Sequence, residues 1–156
     1  MSRRAFTVSA PGRICLFGEH QDYLGLPVIA AAINRRIRAE VQFSCDGHRL
    51  HIDMPDINDR MTLDPSQEQQ YTRARDYLRA GVNVLLREGA RFPYGASIRI
   101  TSDIPMQAGV SSSSAMVVMW LRALCEMAET PMNPTLKRWR DGDTAQRCWS
   151  SKSRVE

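Results

Sequence analysis

The sequence predicts an α+β domain, in which a mixed β-sheet is packed with helices. Ile37 to Ser44 and Ala96 to Thr101 alternate apolar and polar side chains, a pattern typical of half-buried strands. Between them, Gln69 to Leu86 has apolar residues spaced three and four apart, which predicts an amphipathic helix. Met116 to Ala128 is apolar on nearly every side, as in a buried helix. This order of strands, helix, strand and helix favours the α+β class or a mixed sandwich.

The N-terminal segment is predicted to form short strands. Phe6 to Val8 is rich in β-prone residues, and Pro11 and Gly12 are expected to interrupt it before Ile14 to Phe17. Pro27 to Ile33 follows as a small apolar segment. We therefore expect short extended pieces here, separated by turns.

The stretch after the first alternating strand is predicted to be a hairpin followed by a loop. Gly47 marks a turn, and Leu50 to Met54 has the composition of the strand that returns beside Ile37 to Ser44. Pro55 to Pro65 is polar and rich in turn formers, so we expect a loop there. Gly89 is expected to end the amphipathic helix.

Length and charge exclude several classes of protein. The 156 residues suit one domain with an apolar core, and the chain has neither an 18-residue apolar run nor a signal-peptide core, so we expect a cytoplasmic protein without membrane contact. Residues 1–135 carry 15 basic and 14 acidic side chains, which argues against a nucleic-acid partner.

The cysteines show no paired spacing, so buried reduced thiols are expected rather than disulfides or zinc ligands. They are Cys15, Cys45, Cys125 and Cys148.

The composition changes after residue 135. Both lysines of the chain and two of its three tryptophans lie in residues 136–156, whereas residues 1–135 contain 15 arginines and no lysine. No helical or strand periodicity organises the last 21 residues. We therefore expect residues 1–135 to form the domain and residues 136–156 to be an unrelated tail.

The segment PMQAGVSSSSAM at residues 105–116 combines a turn around Gly109 with four serines that open an apolar run. A helix N-terminus presents backbone N–H groups without intrahelical partners and the positive end of the helix dipole, which together suit a phosphate. Serine hydroxyls add donors, and one can be a ligand of magnesium. Taken alone, the segment is more typical of a serine-capped buried helix with no ligand.

The segment APGRICLFGEHQDYLG at residues 10–25 concentrates charge beside a glycine turn. The Arg13 guanidinium can donate paired hydrogen bonds to anionic oxygens. Glu19, His20 and Asp22 follow Gly18 closely, and ionised carboxylates accept hydrogen bonds from the hydroxyls of a polar ligand. The same acids could bind a cation or remain solvated on a loop.

Together, the two segments resemble motifs one and two of the GHMP kinases, the superfamily of galactokinase, homoserine kinase, mevalonate kinase and phosphomevalonate kinase. APGRICLFGEHQDYLG resembles the galactokinase signature, and PMQAGVSSSSAM resembles the proline-led, glycine-rich phosphate loop of the family. The resemblance covers residues 5–135 and implies an α+β fold with the phosphate loop at a helix N-terminus. It also implies ATP and magnesium as cofactors and a small-molecule sugar as substrate.

The resemblance implies a role for each matching residue. Arg13 matches the arginine that stabilises the transition state, and Ser113 matches the serine that ligates magnesium. Gln107 stands where the family often has glycine, which departs from the close backbone approach to phosphate. The run that matches the sugar-binding segment is Glu19, His20, Gln21 and Asp22. The residues that match the ATP loop are Gln107, Ala108, Gly109, Val110, Ser111, Ser112 and Ser113.

The GEHQDY run favours a galactokinase-like sugar kinase, with glucuronic acid, arabinose or mevalonate kinases and a non-catalytic sugar or nucleotide binder as alternatives. The family's catalytic aspartate, its magnesium-binding glutamate and its third motif are absent from this chain, and Asp141 and Asp143 do not match their surroundings. The resemblance therefore implies a C-terminal domain that packs in cis and is missing here, and negligible activity of the chain alone.

A change of reading frame would explain the tail. Permitted codons for residues 142–156, read two bases later, can yield RYRAEVLEFKESGG, which resembles the family's stretch with the magnesium glutamate. We therefore hypothesise a frame change near residues 135–141, where the lysine and tryptophan content also changes.

Overall fold

The computed structural model describes residues 5–18, 24–44, 47–105 and 111–129. These ranges form five strands and two α-helices, and a short 3-10 turn at Pro55–Ile57 joins the third strand to the fourth. In chain order the elements are β1 (Phe6–Phe17), β2 (Ile29–Ser44), β3 (Leu50–Met54), β4 (Asp59–Leu63), α1 (Tyr77–Arg87), β5 (Gly95–Ser102) and α2 (Ser112–Met127).

The five strands make one mixed sheet in the order β1-β2-β5-β3-β4. β5 is the central strand, antiparallel to β2 and parallel to β3. β5 and α2, the last two elements of the described chain, are therefore central to the fold. β5 lies between β2 and β3, which both precede it in the sequence, and α2 packs against β1 and β2. The α+β prediction is confirmed.

One apolar core joins the sheet to both helices. Alternate residues of the strands are buried on one face, such as Ile37, Ala39 and Val41 of β2 and Ile98 of β5, whereas Arg99 beside them is exposed. The helices cover the buried face because α1 contributes one apolar stripe and α2 is buried along most of its length. The opposite face of the sheet is polar.

The N-terminal strands are longer than predicted. Pro11 and Gly12 do not interrupt the first strand, and β1 runs through them, paired with β2. The pairing accommodates them by a register shift between Pro11 and Arg13, since β1 is at the sheet edge, where a proline without N–H is tolerated. Residues 29–33 of the apolar segment and the alternating segment at 37–44 likewise belong to one strand, β2.

The predicted hairpin between residues 37–44 and 50–54 is wrong. β3 pairs with β5 and with β4, and β5 separates it from β2. The predicted loop at 55–65 contains β4, a strand whose only apolar inward residues are Met61 and Leu63. Local composition missed both features, because the insertion of β5 between β2 and β3 is a long-range pairing.

The amphipathic helix begins eight residues later than predicted, at Tyr77 rather than Gln69. The preceding segment folds back along the helix, and the buried Asn83 side chain donates to the Gln69 carbonyl at 2.8 Å and accepts from its N–H at 2.7 Å. Asp76 accepts from the Thr72 N–H at 3.2 Å. These side chains compete with helix formation, because they satisfy the backbone in a non-helical conformation.

Helix α2 is locked onto α1 by Trp120. The indole is fully buried, and its Nε1 donates to the Leu78 carbonyl oxygen of α1 at 2.9 Å. Gly81 of α1 leaves the space for the ring, since a Cβ at that position would lie 2.6 Å from Cδ1 of Trp120. The two helices therefore approach at one glycine, which fixes the position of α2 over the sheet.

The C-terminal end of β5 is anchored from both sides. The Ser102 N–H donates to Oδ2 of Asp56 at 2.6 Å, and the Asp103 N–H donates to the Arg36 carbonyl at 3.0 Å. The Asp103 carboxylate in turn accepts from the Arg36 N–H and pairs with Arg38 at 3.7 Å. These bonds therefore hold the chain where it leaves the sheet, shortly before the segment at residues 105–116.

The paired ends of β1 and β2, together with residues 24–28 between these strands, carry an apolar surface. Phe17 is 71% exposed, and Leu16, Leu24, Leu26, Val28 and Ile29 are also exposed. By contrast, α2 exposes only Val118 among its large apolar residues. In the part of the chain that the structure describes, no helix is long and apolar enough to cross a membrane.

We expect Gly81→Ala to destabilise the fold by about 1–3 kcal/mol, because the added methyl group overlaps the Trp120 ring in a packed core. Urea unfolding followed by Trp fluorescence measures this as a lower midpoint at an unchanged slope. Val118→Ala, at a 49% exposed position of α2, is the matched control and should change stability by no more than about 0.5 kcal/mol. An unchanged midpoint for Gly81→Ala would contradict the packing described.

We expect Asp103 to contribute to stability in a pH-dependent manner. The Arg36 N–H, with the charges of Arg38 and Arg35, lowers the pKa of Asp103 from its ordinary value. Its contribution is therefore present above the unfolded-state pKa of about 3.9 and is lost as pH falls through the lower folded-state value. The difference in melting temperature between wild type and Asp103→Asn should shrink as the pH falls from 7 to 2.5. The variant Arg38→Gln should lose less of this pH-dependent stability than Asp103→Asn does, because its Asp103 still accepts from the Arg36 N–H.

Candidate functional site

Arg13 lies on β1 directly after a register shift. The shift falls between Pro11 and Arg13, where the partner residues on β2 change from Arg36 to Ala32. Such irregularities bend a strand locally and redirect a side chain. The Arg13 side chain is exposed, so its guanidinium is available to a ligand.

Helix α2 begins at Ser112 and is preceded by Ser111 in the left-handed conformation, with φ 53° and ψ 44°. The first intrahelical bond at this end is from the Ala115 N–H to the Ser111 carbonyl at 3.1 Å. The N–H groups of Ser112, Ser113 and Ser114 therefore have no acceptor within the helix. No side-chain hydrogen bond caps this end, and the three serines are half-buried.

Among the described residues, a hydrogen bond joins the two sequence motifs. Nη2 of Arg13 donates to Oγ of Ser111 at 3.0 Å, although the two residues are 98 positions apart. The guanidinium thus lies at the N-terminus of α2, so a full positive charge and the positive end of the helix dipole are adjacent. An anion at this position would meet both.

Gly18 begins the predicted substrate segment. Its φ is +84°, and a Cβ there would lie 2.8 Å from the Pro27 carbonyl oxygen, so only glycine fits. The chain therefore returns close to itself at residues 27–28. The residues predicted to bind substrate, Glu19, His20, Gln21 and Asp22, lie outside the described residues, as do Gln107, Ala108, Gly109 and Val110 of the predicted ATP loop.

The described site residues fit a phosphate group. The geometry offers N–H donors from Ser112 to Ser114, the hydroxyl of Ser113 and the guanidinium of Arg13, all of which are donors to anionic oxygens. Cys125 is buried in α2, and burial raises the pKa of its thiol, which disfavours the reactive thiolate. The chemistry available here is anion binding by hydrogen bonds and positive charge.

Sequence reasoning named Arg13 and Ser111 separately but missed their contact. Neither spacing nor composition indicates that the two side chains meet, because the contact depends on how α2 packs over β1. The left-handed backbone of Ser111 was also missed, since serine is not a residue that typically marks this conformation.

Two family profiles match the chain. The one described as "Galactokinase galactose-binding signature" matches residues 1–43, and "GHMP kinases N terminal domain" matches residues 76–144. Each contains one of the two motifs. The second match extends past residue 135, and the predicted division of the chain at that residue stays a prediction.

Curated relatives include two kinds of kinase. A mevalonate kinase of Thermococcus sibiricus is 33% identical over 135 residues, which cover 81% of this chain and 40% of that protein. A galactokinase of Glaesserella parasuis is 36% identical over 115 residues, which cover 72% of this chain and 29% of that protein. The chain thus spans about two fifths or less of the length of these relatives.

Solved structures share the fold. Lactococcus lactis galactokinase complexed with galactose aligns with a TM-score of 0.77 at 20% identity, covering 99% of this chain and 40% of that one. Methanococcus jannaschii mevalonate kinase aligns with a TM-score of 0.71 at 19% identity, covering 93% of this chain and 45% of that one. At this identity the likeness concerns the fold alone. With both profiles and both kinds of relative in agreement, the chain belongs to the GHMP kinase family.

Proposed function

We propose that this chain is the nucleotide- and substrate-binding part of an ATP-dependent sugar kinase of the galactokinase type, which transfers the γ-phosphoryl group of ATP to a sugar hydroxyl. The observation that carries the proposal is the contact between Arg13 and Ser111. It joins a cation from the first motif to the helix N-terminus of the second. A turn that only resembles a phosphate loop, without binding phosphate, would not need an arginine beside it.

Phosphoryl transfer depends mainly on positioning and on neutralising charge at the transferred group. The N–H groups of Ser112, Ser113 and Ser114, which have no acceptor within the helix, would hold phosphate oxygens, and the first turn of α2 keeps them fixed. The Arg13 guanidinium would compensate negative charge at the same place. Both groups are part of folded elements, so little reorganisation is needed when a nucleotide binds.

Magnesium would supply additional positive charge between phosphate oxygens. Ser113 is the residue of this chain that we assign to it, because a hydroxyl is a hard oxygen ligand and magnesium in nucleotide sites takes most remaining ligands from phosphates and water. Among the described residues, no group of three or more His, Cys, Asp or Glu forms a metal site. The assignment therefore rests on the nucleotide being present.

The galactose-type substrate is supported by the match of residues 1–43 to a galactose-binding signature. Within it, we assign the substrate hydroxyls to Glu19, His20, Gln21 and Asp22. The carboxylates of Glu19 and Asp22 are strong acceptors. Gly18 directly precedes this run, and its own backbone approaches the Pro27 carbonyl oxygen. Glucuronic acid and arabinose present similar hydroxyls and are alternatives.

A mevalonate kinase is the second candidate. The supporting observation is that mevalonate kinases match 76–83% of this chain at 31–34% identity. Its substrate is a carboxylate rather than a neutral sugar, so it would require a positive partner in the substrate segment, where GEHQDY carries two acids. In either case we expect a further domain, packed in cis, to complete the site, since this chain spans only part of its relatives.

We expect the chain to bind ATP with magnesium, and Arg13→Ala to weaken that binding by about tenfold or more, the value of a hydrogen bond to a charged group. Isothermal titration calorimetry on wild type and variant measures the change. Arg99→Ala, which removes an exposed arginine from the polar face of the sheet, is the matched control and should leave the affinity unchanged. Equal losses for both variants would mean that only the net charge matters, which contradicts the site assigned here.

We expect galactose to bind in preference to mevalonate, and Asp22→Ala to abolish the galactose signal, because it removes an acceptor for substrate hydroxyls. Saturation-transfer NMR with the two compounds in one sample compares them directly. Binding of mevalonate alone would favour the second candidate. If neither binds while ATP does, the chain is a nucleotide binder without a substrate site.

A further inference from the structure

The backbone at Ser111 is in an unfavourable conformation for serine. Its φ of 53° lies in the left-handed region, where the Cβ of an L residue crowds the following carbonyl oxygen. In the described ranges only three residues other than glycine have a positive φ, namely Asn58, Arg75 and Ser111. Glycine would adopt this conformation freely, so the serine side chain must be explained by what it contacts.

The Ser111 hydroxyl does not cap the helix. A serine that precedes a helix usually has an extended backbone, and its hydroxyl accepts from an N–H of the first turn. Ser111 makes no such bond, and its Oγ instead accepts from Nη2 of Arg13 at 3.0 Å. The hydroxyl therefore bonds to the arginine and not to the N–H groups of the helix.

Arg13 has few other restraints. Its side chain is exposed, and the ion pairs of the described residues do not include it. A free arginine side chain populates many rotamers, and fixing it on a ligand costs conformational entropy. A group that holds the guanidinium in place beforehand reduces this cost.

We propose that Ser111 is a positioning residue, whose hydroxyl holds the Arg13 guanidinium at the N-terminus of α2 before a phosphate arrives. The effect of this positioning on nucleotide binding rests on the proposed function, whereas the contact between Ser111 and Arg13 does not. The hydroxyl oxygen accepts the hydrogen bond from Arg13 and so restrains the guanidinium. Serine at a position suited to glycine is thereby explained.

The first test needs no ligand. In ¹⁵N-labelled protein, the Nη resonances of Arg13, assigned by their loss in Arg13→Lys, report rotation of the guanidinium. We expect rotation at least about threefold faster in Ser111→Gly and Ser111→Ala than in wild type, because the hydrogen bond at Nη2 is gone. Ser114→Ala is the matched control, since it removes a hydroxyl from the first turn of the same helix and should leave the Arg13 signals unchanged.

Thermal melting separates positioning from a structural role. Ser111→Gly relieves the left-handed strain, so we expect a melting temperature equal to or above that of wild type while Arg13 loses its restraint. A hydroxyl that serves only the fold would give a lower melting temperature and unchanged Arg13 dynamics. That result would overturn the proposal.

A double-mutant cycle on ATP binding completes the test. We expect Ser111→Gly to weaken binding of ATP with magnesium by about three- to tenfold in wild type and not at all in an Arg13→Ala background. An equal loss in both backgrounds would show that the hydroxyl acts on the nucleotide directly, which overturns the positioning role. If wild type binds no ATP, the proposed function fails, and the Arg13 resonances still decide whether Ser111 restrains the guanidinium.

Discussion

The packing of Trp120 into the space left by Gly81 is the constraint on which the site depends. Because the buried indole donates to the Leu78 carbonyl, α2 can neither slide nor rotate on α1 without losing a buried hydrogen bond. The rest of α2 lies against β1 and β2. Its N-terminus is therefore fixed relative to Arg13, which β1 carries, and a contact between side chains 98 residues apart can persist.

The candidate site residues that the structure describes come from the ends or irregularities of regular elements. Arg13 follows a register shift in an edge strand, Ser111 precedes a helix, and Gly18 follows the end of β1. Asp103 and Ser102 hold the end of β5 to its neighbours just before the phosphate segment. A rigid sheet and a locked helix thus carry the segments that would have to meet a ligand, which is the usual division between scaffold and site.

The paired ends of β1 and β2, with residues 24–28 between these strands, expose several large apolar side chains to water. Phe17, Leu24 and Ile29 are each more than half exposed, whereas soluble domains rarely leave several large apolar residues together in water. Helix α2, by contrast, exposes little apolar surface, because it is covered by α1 and by two strands.

The sequence by itself determined the α+β class, β5, the buried helix and the identity of both motifs, because alternation, helical periodicity and short glycine-containing motifs are local properties. Local patterns could not determine that β5 enters between β2 and β3, that Pro11 is tolerated within an edge strand, or that Asn83 and Asp76 delay the start of α1. Each of these depends on partners far away in the chain. The same holds for the site: its residues could be named from motifs, but only the packing of α2 over β1 decided that Arg13 meets Ser111, because hydrogen bonds between distant residues follow from the tertiary fold.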